Sequence, residues 1–386
     1  MSVKKSSEKF PFKMLEPRFG SELMKLIVEI EPYRNANFRN GTTPSDWLEG
    51  LKAIFFILES VASARIEGNR TTVAEYVASV VNKTPEDVAP ERIREIGNLV
   101  AGLKFIENQL GDGAASPMAI RELHKITVND LSVADEGDPT PGDYRKTNVR
   151  IINSKHTPPD AGDVPSRVAD LIDWLNEPRD AVYDLIKIAQ SHWAFVWIHP
   201  FGNGNGRTAR LFTYALLRKY GFVPDGLLVN PNGLFCAERE KYYRFLELAD
   251  SGRESDVETW CVFFLRNLHR EIENAYRLTR KEFVVDEILK PTFDAALREN
   301  VLTKEEVAVL TKTLELETVR LKSVAQSLLL PENVCHRIMK KLRERELLVA
   351  TKAGGRIYRF NLAPILYRFI VQRFHDLKLT PLTLTE

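Results

Sequence analysis

The chain has 386 residues, of which 44% are hydrophobic, and its 54 Lys and Arg nearly balance its 53 Asp and Glu. That length and apolar share predict two or three packed domains and exclude a disordered tail, while the balanced charge argues neither for nor against nucleic acid, so any basic patch must be local. No apolar run approaches the roughly 18 residues that span a bilayer. Cys236, Cys261 and Cys335 form no CxxC pair, and the polar, lysine-rich start through Lys13 lacks the apolar core of a secretory leader. The expectation is a reduced, soluble, cytoplasmic protein with no membrane partner.

In chain order, apolar residues recur at helical spacing over 22–30 and then 45–66, where Trp47, Leu51, Ile54, Phe55 and Leu58 make one broad face. Gly68 and Asn69 stop the second helix. Glu67, just before them, stands at a helix C-terminus, where the macrodipole disfavours a carboxylate, so something cationic should hold it. Thr72 and Glu75 have the spacing of a capping box. A long amphipathic helix follows over 91–110, and Gly111-Asp112-Gly113 ends it. We place a boundary there, giving an N-terminal helical region over 1–112.

The next unit, 113–290, opens with a helix over 117–131 carrying His124, read as a hydrogen-bonded packing residue. Turn formers fill 139–150, and Val149-Arg150-Ile151-Ile152 has the β-branched content of a strand. Helices are predicted over 164–175 and 181–198, with His192 facing inward. Then comes His199-Pro200-Phe201-Gly202-Asn203-Gly204-Asn205-Gly206-Arg207-Thr208-Ala209-Arg210. Alternating Gly and Asn leave the backbone free to take positive φ and turn successive N–H groups inward, which makes an anion-binding concavity. The helix over 208–217 adds the positive end of its dipole. Arg207 and Arg210 lie three apart in its first turn, and His199 at the entrance has a pKa suited to proton transfer near neutrality. Together these describe a nucleotide phosphate site with chemistry beside it. Helices over 238–249 and 257–278 complete the unit, with Tyr242 and Tyr243 read as core edge.

This stretch resembles the signature of the Fic family (Fic/Doc superfamily), His-Pro-Phe-x-(Asp/Glu)-Gly-Asn-Gly-Arg-x-x-Arg, everywhere except at Asn203. The resemblance implies a mainly α fold: a helical Fic-type core with a small β-hairpin flap formed around Gly142-Asp143-Tyr144-Arg145 and Val149. It implies a protein adenylyltransferase that moves AMP from ATP to a Ser, Thr or Tyr hydroxyl. His199 would be the catalytic base; Gly204, Asn205, Gly206, Arg207 and Arg210 would bind ATP. The acidic residue at position 203 holds magnesium in the family. Asn203 offers a neutral amide oxygen instead, a weaker ligand for hard Mg²⁺. Ser63-Ala64-Arg65-Ile66-Glu67-Gly68 also resembles the inhibitory motif (Ser/Thr)-x-x-x-Glu-(Gly/Asn) of members with an N-terminal inhibitory helix, which implies that Glu67 pairs with Arg210 where the γ-phosphate would sit.

From Thr303 the pattern changes. Helices are predicted over 305–316, 322–328 and 333–347, with a turn at 330–332, and strands over 347–350 and 356–360 flank Lys352-Ala353-Gly354-Gly355. Helix, helix-turn-helix and a two-stranded wing resemble a winged helix-turn-helix domain, placed at 300–386. Residues 331–360 hold eight Lys and Arg against three Glu, a basic stripe suited to DNA or, if salt-bridged, to protein contacts. The alternative function is thus a DNA-binding regulator whose Fic domain senses nucleotide with transfer weakened by Asn203, against which the retained His199 argues. Expected partners are ATP with Mg²⁺, a protein target that can include the chain itself, DNA, and a second copy as a homodimer.

Overall fold

The structure is a computed structural model that describes residues 13–35, 41–82, 90–151, 154–223 and 231–384. Ser21 opens α1 (Glu22–Ile30) by accepting from Met24 N. Pro44 precedes α2 (Ser45–Glu67), and Gly68 ends it at φ 109°, a left-handed turn that suits glycine. The expected one-sided apolar face understates α2: Leu48, Phe56, Ile57 and Val61 are buried too, because α4, α8 and α9 pack around it.

Thr72 and Glu75 make the predicted capping box at α3 (Val73–Asn82). α4 (Pro90–Phe105) widens into a π turn at Ile106–Leu110. Ser116 caps α5 (Pro117–Thr127), and α6 (Val164–Asn176) packs on α7 (Asp184–Ile198). α8 (Asn205–Lys219) starts at the phosphate-type loop and packs on α5 and α7. α9 (Pro231–Ala237), α10 (Arg239–Ala249) and α11 (Glu254–Arg277) close the far side.

Between the predicted elements lies a further helical stretch: α12 (Lys281–Phe283), a π turn (Val284–Leu289) and α13 (Lys290–Arg298). The C-terminal unit holds α14 (Lys304–Leu316), α15 (Leu321–Ser327) and α16 (Glu332–Glu344). Strand β1 (Leu348–Ala350) pairs antiparallel with β2 (Tyr358–Phe360), Val349 opposite Arg359, and α17 (Tyr367–Asp376) follows. Among the described residues no helix is long and apolar enough to cross a membrane.

The flap expected over 139–152 needs correction. Its described part, through Ile151, contains no strand; Ile152 lies outside the described residues. The two arms of this loop are tied by side chains instead of a ladder. Asn148 donates to Asp160 Oδ1 and accepts from Ala161 N, while Arg145 donates to the carbonyls of Thr147 and Pro159.

Buried apolar residues form one cluster from Met14 to Leu382, so the N-terminal, central and C-terminal units share a core. α2 is the shared member. Near its start Trp47 meets Phe360 edge-on at 5.8 Å, and Asp46 pairs with Arg359 at 3.3 Å. Further along, Phe55 meets Phe374 at 5.2 Å, and Leu362 packs so tightly on Gly50 that a Cβ there would lie 2.6 Å from it. The other end of α2 reaches the signature.

Candidate active site

α7 ends at His199, whose backbone is left-handed at φ 50°, ψ 62°. A non-glycine residue in that conformation is held by its surroundings. Here Arg145 Nε donates to the His199 carbonyl at 2.8 Å and Arg145 N to the Pro200 carbonyl at 2.9 Å. On the ring, Nδ1 lies 3.2 Å from the Val196 carbonyl. A carbonyl only accepts, so Nδ1 carries the proton and Nε2 is left as a base. Burial pushes the imidazole down to about 4, against the opposing pull of the Val196 carbonyl and of Glu67. The ring is therefore neutral throughout the physiological range.

Behind His199 the loop is braced from within. Asn205 spans its neck, accepting from Phe201 N and donating to Phe201 O, both at 2.9 Å. His124 stacks on Phe201, with centroids 3.7 Å apart, accepts from Gly142 N and donates from Nε2 to the Asn203 carbonyl at 3.1 Å. Gly204 takes φ 70°, and a Cβ there would strike Val128 at 2.9 Å. Because Thr208 N already bonds to Gly204 O, the N–H groups of Asn205, Gly206 and Arg207 form the open first turn of α8, the positive end of the helix.

That anion site carries an anion of the protein's own. Glu67 Oε1 accepts from Arg210 NH2 at 2.8 Å and lies 2.1 Å from where a Cβ on Gly206 would be. Arg210 also donates to Ser63 through Nε to Oγ (2.8 Å) and NH2 to the carbonyl (3.0 Å), while Tyr243 OH donates to the Ile66 carbonyl. Burial works to raise the Glu67 carboxyl, but the Arg210 and Arg207 guanidiniums outweigh it and hold it below the usual carboxylate range. The predicted pairing is present in geometry.

The first signature arginine, Arg207, is held by other carboxylates. Arg207, 1% exposed, donates NH1 to Glu95 Oε1 (2.8 Å) and NH2 to Glu136 Oε2 (2.7 Å) and to the Glu136 carbonyl (3.1 Å). Glu95 in turn accepts from Asn69, at the end of the inhibitory-type segment, at 2.7 Å. Arg207 Nε faces the interior without a hydrogen-bond partner. Sequence reasoning missed Glu95 and Glu136 as members of this site and had Arg145 only as part of the flap.

Glu67, His199, Gly206, Arg207 and Arg210 line a pocket of about 800 Å³ shared with Arg150, His156, Trp197, Tyr243 and Asp250. Asn203, the departure from the signature, also borders it, but its amide is spent on the protein: Oδ1 accepts from Gly204 N at 2.7 Å and Nδ2 donates to the carbonyls of Asp135 and Gly137. Among the described residues no group of three or more His, Cys, Asp or Glu is placed to hold a metal ion. Asn203, with a neutral amide oxygen already accepting from Gly204 N, is the signature loop's weaker candidate for a hard cation.

Comparison with known proteins gives this geometry a family. Residues 115–217 match the Fic/DOC family. This segment is a Fic domain. Curated relatives named protein adenylyltransferase Fic are 31% identical over 193 residues in Drosophila willistoni, covering 49% of this chain and 36% of the relative. In Nematostella vectensis the identity is 30% over 220 residues, covering 55% of this chain and 46% of the relative. The chain thus spans less than half the length of these relatives. Among solved structures, a Fic family protein from Desulfovibrio desulfuricans G20 superposes over 91% of this chain and 98% of its own, with TM-score 0.57 at 22% identity. Fic-1 (residues 134–508) from C. elegans covers 67% of this chain and 73% of its own, with TM-score 0.53 at 21% identity. The shared fold includes the mainly helical architecture described above.

Proposed function

We propose that the Fic domain transfers AMP from ATP to a Ser, Thr or Tyr hydroxyl of a protein target, and that α2 acts as an inhibitory helix through Glu67. The observation that carries this reading is the Glu67 carboxylate resting on Arg210 and over Gly206, an internal anion in a phosphate site, beside a neutral imidazole with Nε2 available. In the reaction, the target hydroxyl loses its proton to His199 Nε2 and its oxygen bonds to the α-phosphorus. The bond from that phosphorus to the pyrophosphate oxygen breaks, and pyrophosphate leaves. The open N–H groups of α8 and Arg210 stabilise the phosphates as negative charge shifts to the leaving group. Mg²⁺ enters with ATP as part of the substrate.

The test uses ATP labelled at the α-phosphate. Glu67→Gly frees Arg210 and the first turn of α8, and correct placement of the α-phosphate is worth several powers of ten in favourable cases, so transfer should rise at least about tenfold. His199→Ala in that background should cut transfer by about 10²–10⁴ while leaving ATP binding intact. Wild-type transfer already equal to that of Glu67→Gly would remove autoinhibition, and unchanged transfer by His199→Ala would remove the mechanism.

A second reading concerns 300–386, for which we propose a winged-helix unit that contacts DNA. What favours it is the outward placement of Arg337, Lys340 and Lys341 on α16, with Lys352 and Arg356 at the β1–β2 hairpin, all exposed. The stripe is smaller than its composition suggests. Arg345 is engaged by Glu306 and the Val301 carbonyl, Arg359 by Asp46, and Arg343 lies over the Tyr358 ring.

A further inference from the structure

The segment 131–138 has no counterpart in the phosphate-site argument, yet it touches the signature at three points. It is a tight loop: Asp135 N and Gly137 N both return to the Ser132 carbonyl, at 3.0 and 2.8 Å, and a Cβ on Gly137 would lie 2.2 Å from the Leu131 carbonyl oxygen. Two of its carbonyls, Asp135 O and Gly137 O, accept from Asn203 Nδ2 at 3.2 and 3.3 Å. Asp138 Oδ2 accepts from Asn203 N at 3.0 Å, and its other oxygen is held by Thr140 N and Oγ1. Glu136 takes Arg207. With Oδ1 on Gly204 N and the carbonyl on His124, every polar group of Asn203 has a protein partner.

We infer that Asn203 is a positioning residue, whose carboxamide clasps the signature loop to the 131–138 loop and so fixes the N–H groups that receive phosphate. An aspartate or glutamate cannot make this clasp. It has no N–H to give, and its second oxygen would face two carbonyl oxygens. The departure from the family signature is therefore an exchange of one function for another at the same position. The amide braces the loop from the side, and the divalent ion is carried by the nucleotide alone. Asp138 and Glu136 do not replace the missing charge, since the first is spent on Asn203 N and Thr140 and the second on Arg207.

The test has one arm without nucleotide and one with it; only the second rests on the proposed AMP transfer. In the full-length chain without nucleotide, hydrogen exchange followed on peptides covering 131–138 and 201–206 should speed up between about fivefold and a hundredfold in Asn203→Asp, because two hydrogen bonds go and a repulsion replaces them. Asn203→Ser, which keeps a cap for Gly204 N and adds no charge, should show the same acceleration to a smaller degree. It also guards against an Asn203→Asp chain that fails to fold. In the Glu67→Gly background, Asn203→Asp should raise KM for MgATP and lower kcat, since the N–H groups that meet the shifting charge are less well fixed, and leave the Mg²⁺ midpoint where it was. Unchanged exchange in both variants overturns the clasp. So does a lower Mg²⁺ midpoint with more transfer at low Mg²⁺, which would show position 203 acting on the metal. If the Glu67→Gly chain transfers no AMP at all, the functional reading fails while the exchange arm still decides the clasp.

Discussion

Cationic side chains occupy two regions of this molecule in opposite states. In the Fic domain, Arg207 and Arg210 are each about 1% exposed by side chain and each is already matched by carboxylates: Glu95 and Glu136 for the first, Glu67 for the second. On α16, Arg337, Lys340 and Lys341 are exposed, and the Lys340–Glu344 contact is a 3.8 Å pair with both side chains more than 60% exposed. The difference teaches how each region can meet an anion. A polyanion reaches the α16 face by displacing counterions, so the encounter is screened by salt. An anion reaches Arg210 only by displacing the Glu67 carboxylate of the same chain. Arg207 is held from two sides and is better placed to brace the site than to meet ATP.

The sharpest way to break this contrast is to remove one partner from each region. Glu95→Ala leaves Arg207 buried beside Glu136 alone and takes an acceptor from Asn69, a loss of about 3–5 kcal/mol for a broken buried pair. Burial already raises the Glu95 carboxyl despite the opposing pull of Arg207, so this pair is costly to keep as well as to break. Lys340→Ala should change stability by no more than about 0.5 kcal/mol. Urea unfolding of the two variants measures both. Equal effects would mean that Arg207 is not the brace its burial indicates.

The next effect concerns association. Replacing Arg337, Lys340 and Lys341 by Ala should lower the magnitude of the log–log salt slope for duplex DNA binding by about 3 and weaken binding at least about tenfold near 0.1 M salt. The same triple variant should leave ATP binding unchanged, since no residue of the pocket is altered. Absence of DNA binding by the wild type at low ionic strength would assign the face to protein contacts.

What the sequence made legible here follows from how local each feature is. His199 to Arg210 is one contiguous stretch, and its Gly and Asn content announces a loop at a helix start. Glu67 was legible because a carboxylate at a helix C-terminus wants a cation, although its partner lies 143 positions away. Glu95 and Glu136 were not, lying 112 and 71 positions from Arg207. A glutamate on an amphipathic helix or a turn looks the same whether solvated or buried against an arginine. The flap's strands are not seen among the described residues for a related reason. β-Branched content at 149–152 is a local signal, but a ladder needs a partner strand, and Arg145 and Asn148 close the loop by side chains. The role of Asn203 was hidden because one position in a signature suggests one function, whereas the two carbonyls its amide serves lie 68 and 66 residues earlier.

The smallest expected effect lies at the far end of α2, where the two regions meet. Arg359 sits on the hairpin beside the basic face, yet its partner Asp46 belongs to the first turn of the helix that ends in Glu67. This ion pair is half-exposed, at 46% and 25% by side chain, so it is worth between about 0.2 and 1 kcal/mol. The apolar contacts beside it, Trp47 on Phe360 and Phe55 on Phe374, hold the helix more firmly. Arg359→Ala should therefore raise basal AMP transfer by no more than about fivefold, the population shift that 1 kcal/mol allows, and Phe360→Ala should raise it more. Both would be read with labelled ATP beside the Glu67→Gly chain as the upper limit. If Arg359→Ala alone reached that limit, the ion pair and not the apolar packing would be what keeps α2 on Arg210, and the C-terminal unit would govern the active site through charge.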